Sequence, residues 1–161
     1  MAIKIKREDS IEAIKVFLKV KGIKENIRME ILRILLYKLT EAEHGSKFKI
    51  PLKTEGTILI LRKKLEEQKE IKGMLVHEHI TERKNIAEML LQDEKMESTD
   101  KILDYALACV VTKDEHERLK ETKKRGVERY KAADIKVYDT RNNDKKLVDF
   151  KNLNSYKKCF S

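Results

Sequence analysis

Apolar positions near the start of the chain recur at helical spacing. Ile11, Ile14, Phe17 and Leu18 share one face, as an amphipathic helix of 3.6-residue period requires. The pattern opens with Asp9-Ser10-Ile11-Glu12, where Asp9 and Glu12 have capping-box spacing, and Gly22 is placed to stop the helix. A second helical run, about 25–44, carries Ile27, Ile31, Leu32, Ile34, Leu35, Leu36 and Leu39, and Gly45 ends it. Together they predict a helical hairpin, with the second helix as the hydrophobic centre of the amino-terminal half. Ile31, Leu32, Leu35, Leu36 and Leu39 are expected to be largely buried. So broad a face needs cover on more than one side. What the first helix leaves open is a candidate homodimer interface around 31–39, or a docking groove.

Phe48-Lys49-Ile50-Pro51-Leu52 alternates polar and apolar residues and predicts a short edge strand, a position that tolerates proline. Residues 57–70 read as one helix, although Thr57-Ile58-Leu59-Ile60-Leu61 alone would also suit a strand. Gly73-Met74-Leu75-Val76-His77-Glu78-His79-Ile80 predicts a buried strand with a polar end. Helices near 82–92 and 99–107 follow, the second capped by Ser98 or Thr99. Cys109-Val110-Val111 predicts a short strand, and Thr112-Lys113-Asp114-Glu115 is a capping box opening a helix that reaches about Gly126. Ile135-Lys136-Val137-Tyr138 predicts a last strand. From Asp139 the chain is mostly polar, with Leu147, Phe150, Leu153, Tyr156 and Phe160 able to dock as a small arm.

With one proline and five glycines the chain is poor in turns. The expected architecture is a single α+β domain, predominantly helical, with a small two- or three-stranded element carrying the histidines. Residues 1–72 would form a helical layer, 73–126 a strand–strand–helix segment with a helical insert, and 127–161 a short strand and polar carboxy-terminal arm.

A length of 161 residues fits one domain, and a hydrophobic share of 40% supports a packed core, which excludes wholesale disorder. The most apolar stretch, 31–39, is interrupted by Arg33 and Lys38, so no membrane-spanning helix is expected. The basic residues of Met1-Ala2-Ile3-Lys4-Ile5-Lys6-Arg7 lead into no apolar region, so no signal peptide is expected either. Cys109 and Cys159 are too few for a disulfide framework and too far apart for a zinc knuckle. Cys109, inside an apolar run, reads as a small buried hydrophobe, and the expected compartment is the reducing cytoplasm. Lys and Arg number 37 against 28 Asp and Glu, a formal charge of +9. This directs attention to anionic partners, nucleic acid and DNA foremost. A Lys/Glu-rich protein with mixed surface charge is the blander alternative.

Three of the four histidines lie in His77-Glu78-His79 and Glu115-His116. In a strand, His77 and His79 point to one face and Glu78 to the other. His116 falls in the first turn of the helix that follows the strand at Cys109. If the two strands pair, that helix returns beside the first strand and gathers Glu78, His79 and His116 into one volume. Imidazole and carboxylate suit a divalent metal, and a metal-bound or imidazole-polarised water can attack a phosphodiester. The other possibility is that these are satisfied strand and capping side chains. His44, at a helix end, more simply complements the helix carbonyls.

Here the sequence resembles the HNH, or ββα-metal, nuclease superfamily over about 73–120. Glu78-His79-Ile80-Thr81 stands where that family carries an acidic residue, His, Ile or Val, any residue and Pro. Val110-Val111-Thr112-Lys113-Asp114-Glu115-His116 is similar to its last motif. Thr81-Glu82 replaces the usual proline, and Leu107-Ala108-Cys109 stands where a middle Asn is usual; Asn85 is the nearest substitute. The resemblance implies His79 as the general base. It also implies Glu78 and His116 as ligands of Mg²⁺, Mn²⁺ or Zn²⁺, with His77 as an additional ligand. Phosphate contacts are expected from Lys120, Lys123, Lys124 and Arg125, one to three turns beyond His116, and from Arg129 with Lys131. Lys157-Lys158 would extend them in the tail. Arg62-Lys63-Lys64, interleaved with Glu66 and Glu67, reads as a solvated face, and Tyr130 and Tyr138 as core rather than stacking platforms. Two functions stay open. One is a small DNA-processing enzyme of HNH type, a metal-dependent endonuclease. The other is a non-enzymatic phage or mobile-element module that docks on nucleic acid or on a host protein.

Overall fold

The second apolar run does form the centre of a helical layer. In this computed structural model, which describes residues 6–42, 49–67, 70–71, 73–141 and 145–150, α1 (Arg7–Lys19) packs on α2 (Glu25–Ala42). Leu32, Leu36 and Leu39 are fully buried, Ile31 and Leu35 partly so, and Ile34 is 60% exposed. Much of the cover comes from the chain itself. Ile14 of α1 closes one side, and Ile86, Ala87 and Leu90 of α4 (Arg83–Gln92) with Ile102 and Leu103 of α5 (Thr99–Leu103) close another. The helical insert therefore belongs to the amino-terminal layer. α1 begins earlier than the apolar period suggests: Asp9 Oδ2 accepts the Lys6 N–H at 3.0 Å, so Asp9 sits inside the first turn instead of opening it.

Among the described residues the sheet has five strands rather than two or three: β1 (Leu52–Thr54), β2 (Leu75–His79), β3 (Ala108–Thr112), β4 (Val137–Asp139) and β5 (Lys146–Leu147), in the order β2-β3-β1-β4-β5. β1 runs parallel to β3; the other pairs are antiparallel. The strand expected at 48–52 on an edge is thus central, and it shares only Leu52 with the expected run. Pro51 only leads into it, and its carbonyl accepts from Thr140 N at 3.0 Å, so the missing donor costs the ladder nothing. α3 (Glu55–Glu67) follows β1 without a loop.

The Thr112 capping box forms as expected. Glu115 N donates to Thr112 Oγ1 at 3.1 Å, and Thr112 N to Glu115 Oε2 at 2.8 Å. The helix it opens, α6 (Lys113–Glu121), stops well before Gly126. Lys123 and Gly126 have φ of 46° and 55°, left-handed backbone that no helix continues through. The chain then forms a separate α7 (Glu128–Ala132). α5 likewise ends at Leu103, short of 107, and β4 begins at Val137 rather than Ile135. Part of the arm docks: the Phe150 ring lies 5.6 Å from Tyr130 and Val148 is buried, whereas Leu147, expected to dock, is 54% exposed. Leu153, Tyr156, Lys157, Lys158, Cys159 and Phe160, and also His44, Gly45 and Phe48, lie outside the described residues.

The pleat sends alternate residues into two packed layers. One face meets α6 and α7 through Cys109, Val111, Leu119, Tyr130 and Val137; Cys109 Sγ lies 3.1 Å from Tyr130 Oη. The other face carries Leu75, Ala108 and Val110 against Ile60 and Leu61 of α3. The fold is α+β and predominantly helical. Among the described residues no helix is long and apolar enough to cross a membrane.

Candidate functional site

β2 is an edge strand of the sheet, and Glu78 and His79 are buried at its polar end. Its register with β3 pairs Leu75 with Thr112 and His79 with Ala108. α6 leaves from the Thr112 end and packs back across both strands. Its first turn thereby brings His116 to Glu78, with Nδ1 2.6 Å from Glu78 Oε2. A carboxylate only accepts, so Nδ1 is the donor and Nε2 is the nitrogen left for the cleft. From α7, Arg129 donates to Glu78 Oε1 at 2.6 Å and also to the His79 carbonyl. Each oxygen of Glu78 therefore has its own partner, one imidazole and one guanidinium.

The opposite face holds a different arrangement. His77 and His79 stack with ring centroids 4.8 Å apart, and both Nε2 atoms approach Thr40 Oγ1 of α2, at 3.2 and 3.1 Å. Tyr37 lies 4.8 Å from the His77 ring, and the Arg83 guanidinium lies over Tyr37 at 5.5 Å. Burial holds the His79 imidazole well below its ordinary titration range; neighbouring His77, Arg83 and Arg129 push the same way, against a hydrogen bond to the Leu36 backbone. This ring is neutral at neutral pH and serves the packing of α2 on β2.

A pH dependence follows from that burial. The unfolded imidazole titrates near 6.5, and the folded one lower. Between the two values the unfolded chain binds the extra proton, so stability falls as pH drops below about 6.5, by up to about 1.4 kcal/mol per unit. The loss levels off below the folded value. Urea midpoints measured from pH 7.5 to 5 should show this fall, and His79→Gln should flatten it. An equal slope in the variant would assign the effect to other groups.

A cleft of about 360 Å³ wraps the end of β2. Besides Glu78, His116, Glu82 and the two strand histidines, it is lined by cations from three helices: Arg33 of α2, paired with Glu30 at 2.5 Å, Arg83 and Lys84 of α4, the lysine 3.8 Å from Glu88, and Arg129 of α7. The structure thus brings together Glu78, His116 and Arg129, and sets His77 and His79 on the reverse face of the strand. Lys120, Lys123, Lys124 and Arg125 are exposed and do not line this cleft, and Lys120 Nζ is paired with Glu117 at 2.9 Å. The residues that sequence reasoning missed are Arg33, Arg83 and Lys84. A signal for two of them existed: basic side chains in the first turn of a helix oppose its dipole, and α4 opens with Arg83-Lys84 and has no acidic residue there.

The donors present do not fit the divalent metal that the HNH resemblance implies. Both Glu78 oxygens are engaged, one by a cation that would repel a metal ion. His79 faces away, with Nε2 on Thr40. That leaves His116 and one neutralised carboxylate, fewer than the three protein ligands usual for a catalytic zinc; magnesium takes as few as one or two carboxylates, and the carboxylate here is already held by Arg129. Among the described residues no group of three or more His, Cys, Asp or Glu is placed to hold a metal ion. What the arrangement offers instead is an imidazole oriented by a carboxylate, at the wall of a cationic cleft. Compared with family models, curated proteins and solved structures, the chain finds no match.

Proposed function

We propose that this chain is a small basic nucleic-acid-binding protein. Its cleft at the β2 edge takes up a phosphodiester, and Glu78, His116 and Arg129 act there. The supporting observation is the convergence of Arg33, Arg83 and Lys84, with Glu82 beside them, on a hydrogen-bonded carboxylate–imidazole pair that Arg129 braces. Cations from separate helices can grip phosphate oxygens, while the pair moves a proton. The free, buried thiol of Cys109 accords with work in the reducing cytoplasm. An HNH-type metal-dependent endonuclease would use the same cleft only after Arg129 withdrew from Glu78. The second reading, a module that binds without cutting, is favoured by the seat of His79 on the reverse face. A homodimer through α2 is a narrower proposal, resting on Ile27 and Ile34, which are exposed two turns apart.

The test is a gel shift at low salt with single-stranded and duplex DNA and RNA. The protein should retard at least one of them. The double change Arg83→Ala with Lys84→Ala should weaken binding about tenfold or more. It should also flatten the slope of log affinity against log salt by about one for each phosphate no longer neutralised. Substituting Lys120, Lys123 and Lys124 together should cost less, and equally for unrelated sequences. If none of the four nucleic acids is retarded, a host protein becomes the partner to seek.

A further inference from the structure

We infer that the cleft cleaves RNA by metal-free transphosphorylation, with His116, oriented by Glu78, taking the proton of the substrate's own 2′-hydroxyl. This rests on the phosphodiester-binding cleft proposed above and adds the substrate class and the chemistry. Three observations carry it. Both oxygens of Glu78 are committed, one of them to Arg129 at 2.6 Å, so the site is built around a guanidinium where a metal nuclease keeps a cation position open. The Nδ1 bond to Glu78, at 2.6 Å, fixes the His116 ring and leaves Nε2 for the cleft that the ring lines. Arg33, Arg83 and Lys84 border the same cleft from α2 and α4 and supply charge for a phosphoryl group, with Arg33 and Lys84 exchanging Glu30 and Glu88 for it.

Those parts suit one kind of phosphodiester. DNA has no internal nucleophile and needs an activated water, which metal-dependent nucleases generate with a bound ion. RNA carries its nucleophile beside the phosphorus and needs only a proton acceptor and cations for the charge that develops. The 2′-hydroxyl proton passes to His116 Nε2, and the O2′–P bond forms. The P–O5′ bond breaks with its electron pair on O5′, which takes a proton from solvent water. The hydroxide so formed removes the proton from His116. The products are a 2′,3′-cyclic phosphate and a 5′-hydroxyl, and no oxidant, reductant or metal enters. Arg129 is a positioning residue here, because its contacts are Glu78 and the His79 carbonyl.

The experiment incubates the full chain in excess EDTA with a labelled single-stranded RNA, the DNA of the same sequence, and the same RNA fully 2′-O-methylated. Binding is read by gel shift and cleavage by denaturing gel, with the 5′-hydroxyl identified by phosphorylation with a kinase and the cyclic phosphate by its resistance to phosphatase. RNA should be cut to cyclic-phosphate ends, while the DNA and the methylated RNA stay intact although bound. His116→Ala should lower the single-turnover rate at saturating protein by about 10²–10⁴-fold. The methylated substrate tests the same chemistry on unaltered protein, so a poorly folding variant does not decide the matter. RNA bound but uncut in EDTA overturns this inference and leaves nucleic-acid binding standing. Cleavage that survives His116→Ala, or that occurs only when Mg²⁺, Mn²⁺ or Zn²⁺ is restored, also overturns it. Retention of none of the three overturns this inference, and the binding proposal falls with it when duplex DNA and RNA are not retarded either.

Discussion

Arg129→Ala should lower the unfolding free energy by about 3–5 kcal/mol, the usual cost of removing one partner from a buried ion pair. Arg129 and Glu78 are only 12% and 10% exposed at the side chain, and their contact measures 2.6 Å. The guanidinium also donates to the His79 carbonyl, so it ties α7 to the end of β2 through two acceptors. Truncation leaves both without that donor, and Glu78 keeps only His116. The penalty lies chiefly in the stranded carboxylate, so Glu78→Ala combined with Arg129→Ala should lose less than the two single changes added together. Urea unfolding of the four proteins measures this, with a coupling expected at about 1–3 kcal/mol. A loss under about 1 kcal/mol for Arg129→Ala would place the pair in the class of solvated surface bridges and remove its claim to hold the site in shape.

Local signals in the sequence reached some of this site and stopped short of the rest for identifiable reasons. The Thr112–Glu115 box is a short-range motif whose two hydrogen bonds close within four residues, and it forms as written. With β2 and β3 both legible as apolar runs, the meeting of His116 with Glu78 needed only their pairing. Strand alternation already separates Glu78 from His79, yet it does not say which helix covers which face. α6 and α7 took the Glu78 side and α2 took the histidine side through Thr40, contacts that span 37 residues or more of chain. The parallel pairing of β1 with β3 was hidden for the same reason, since Lys53 and Val110 meet only after the whole helical insert has folded away. Arg33 lay in an apolar helix as an interruption, and only the packing of α4 on α2, where Arg83 donates to the Arg33 carbonyl at 3.2 Å, shows that it borders a cleft. The break after α6 turns on two left-handed residues, Lys123 and Gly126. Gly126 is an ordinary stop signal, whereas nothing in the type of Lys123 announces one.

Leu36→Ala should cost about 2–5 kcal/mol, the range for emptying a leucine site in a packed core. Leu36 is fully buried among Ile14 of α1, Ile86 and Leu90 of α4 and Leu103 of α5. The cavity would open where three helices close on α2, and each is held by other contacts of its own, so collapse to fill it is restricted. Ile34, two positions away and 60% exposed, should tolerate alanine within about 0.5 kcal/mol. Leu35, partly buried against the same cluster, should fall between them. This ordering separates cover by the chain's own helices from cover by a second copy. If α1, α4 and α5 supply it, the urea midpoint of the wild type is independent of protein concentration and the three costs rank with burial. If a second copy sits on α2, the midpoint rises with concentration, and Ile34→Ala costs as much as Leu36→Ala because the partner has buried that side chain too.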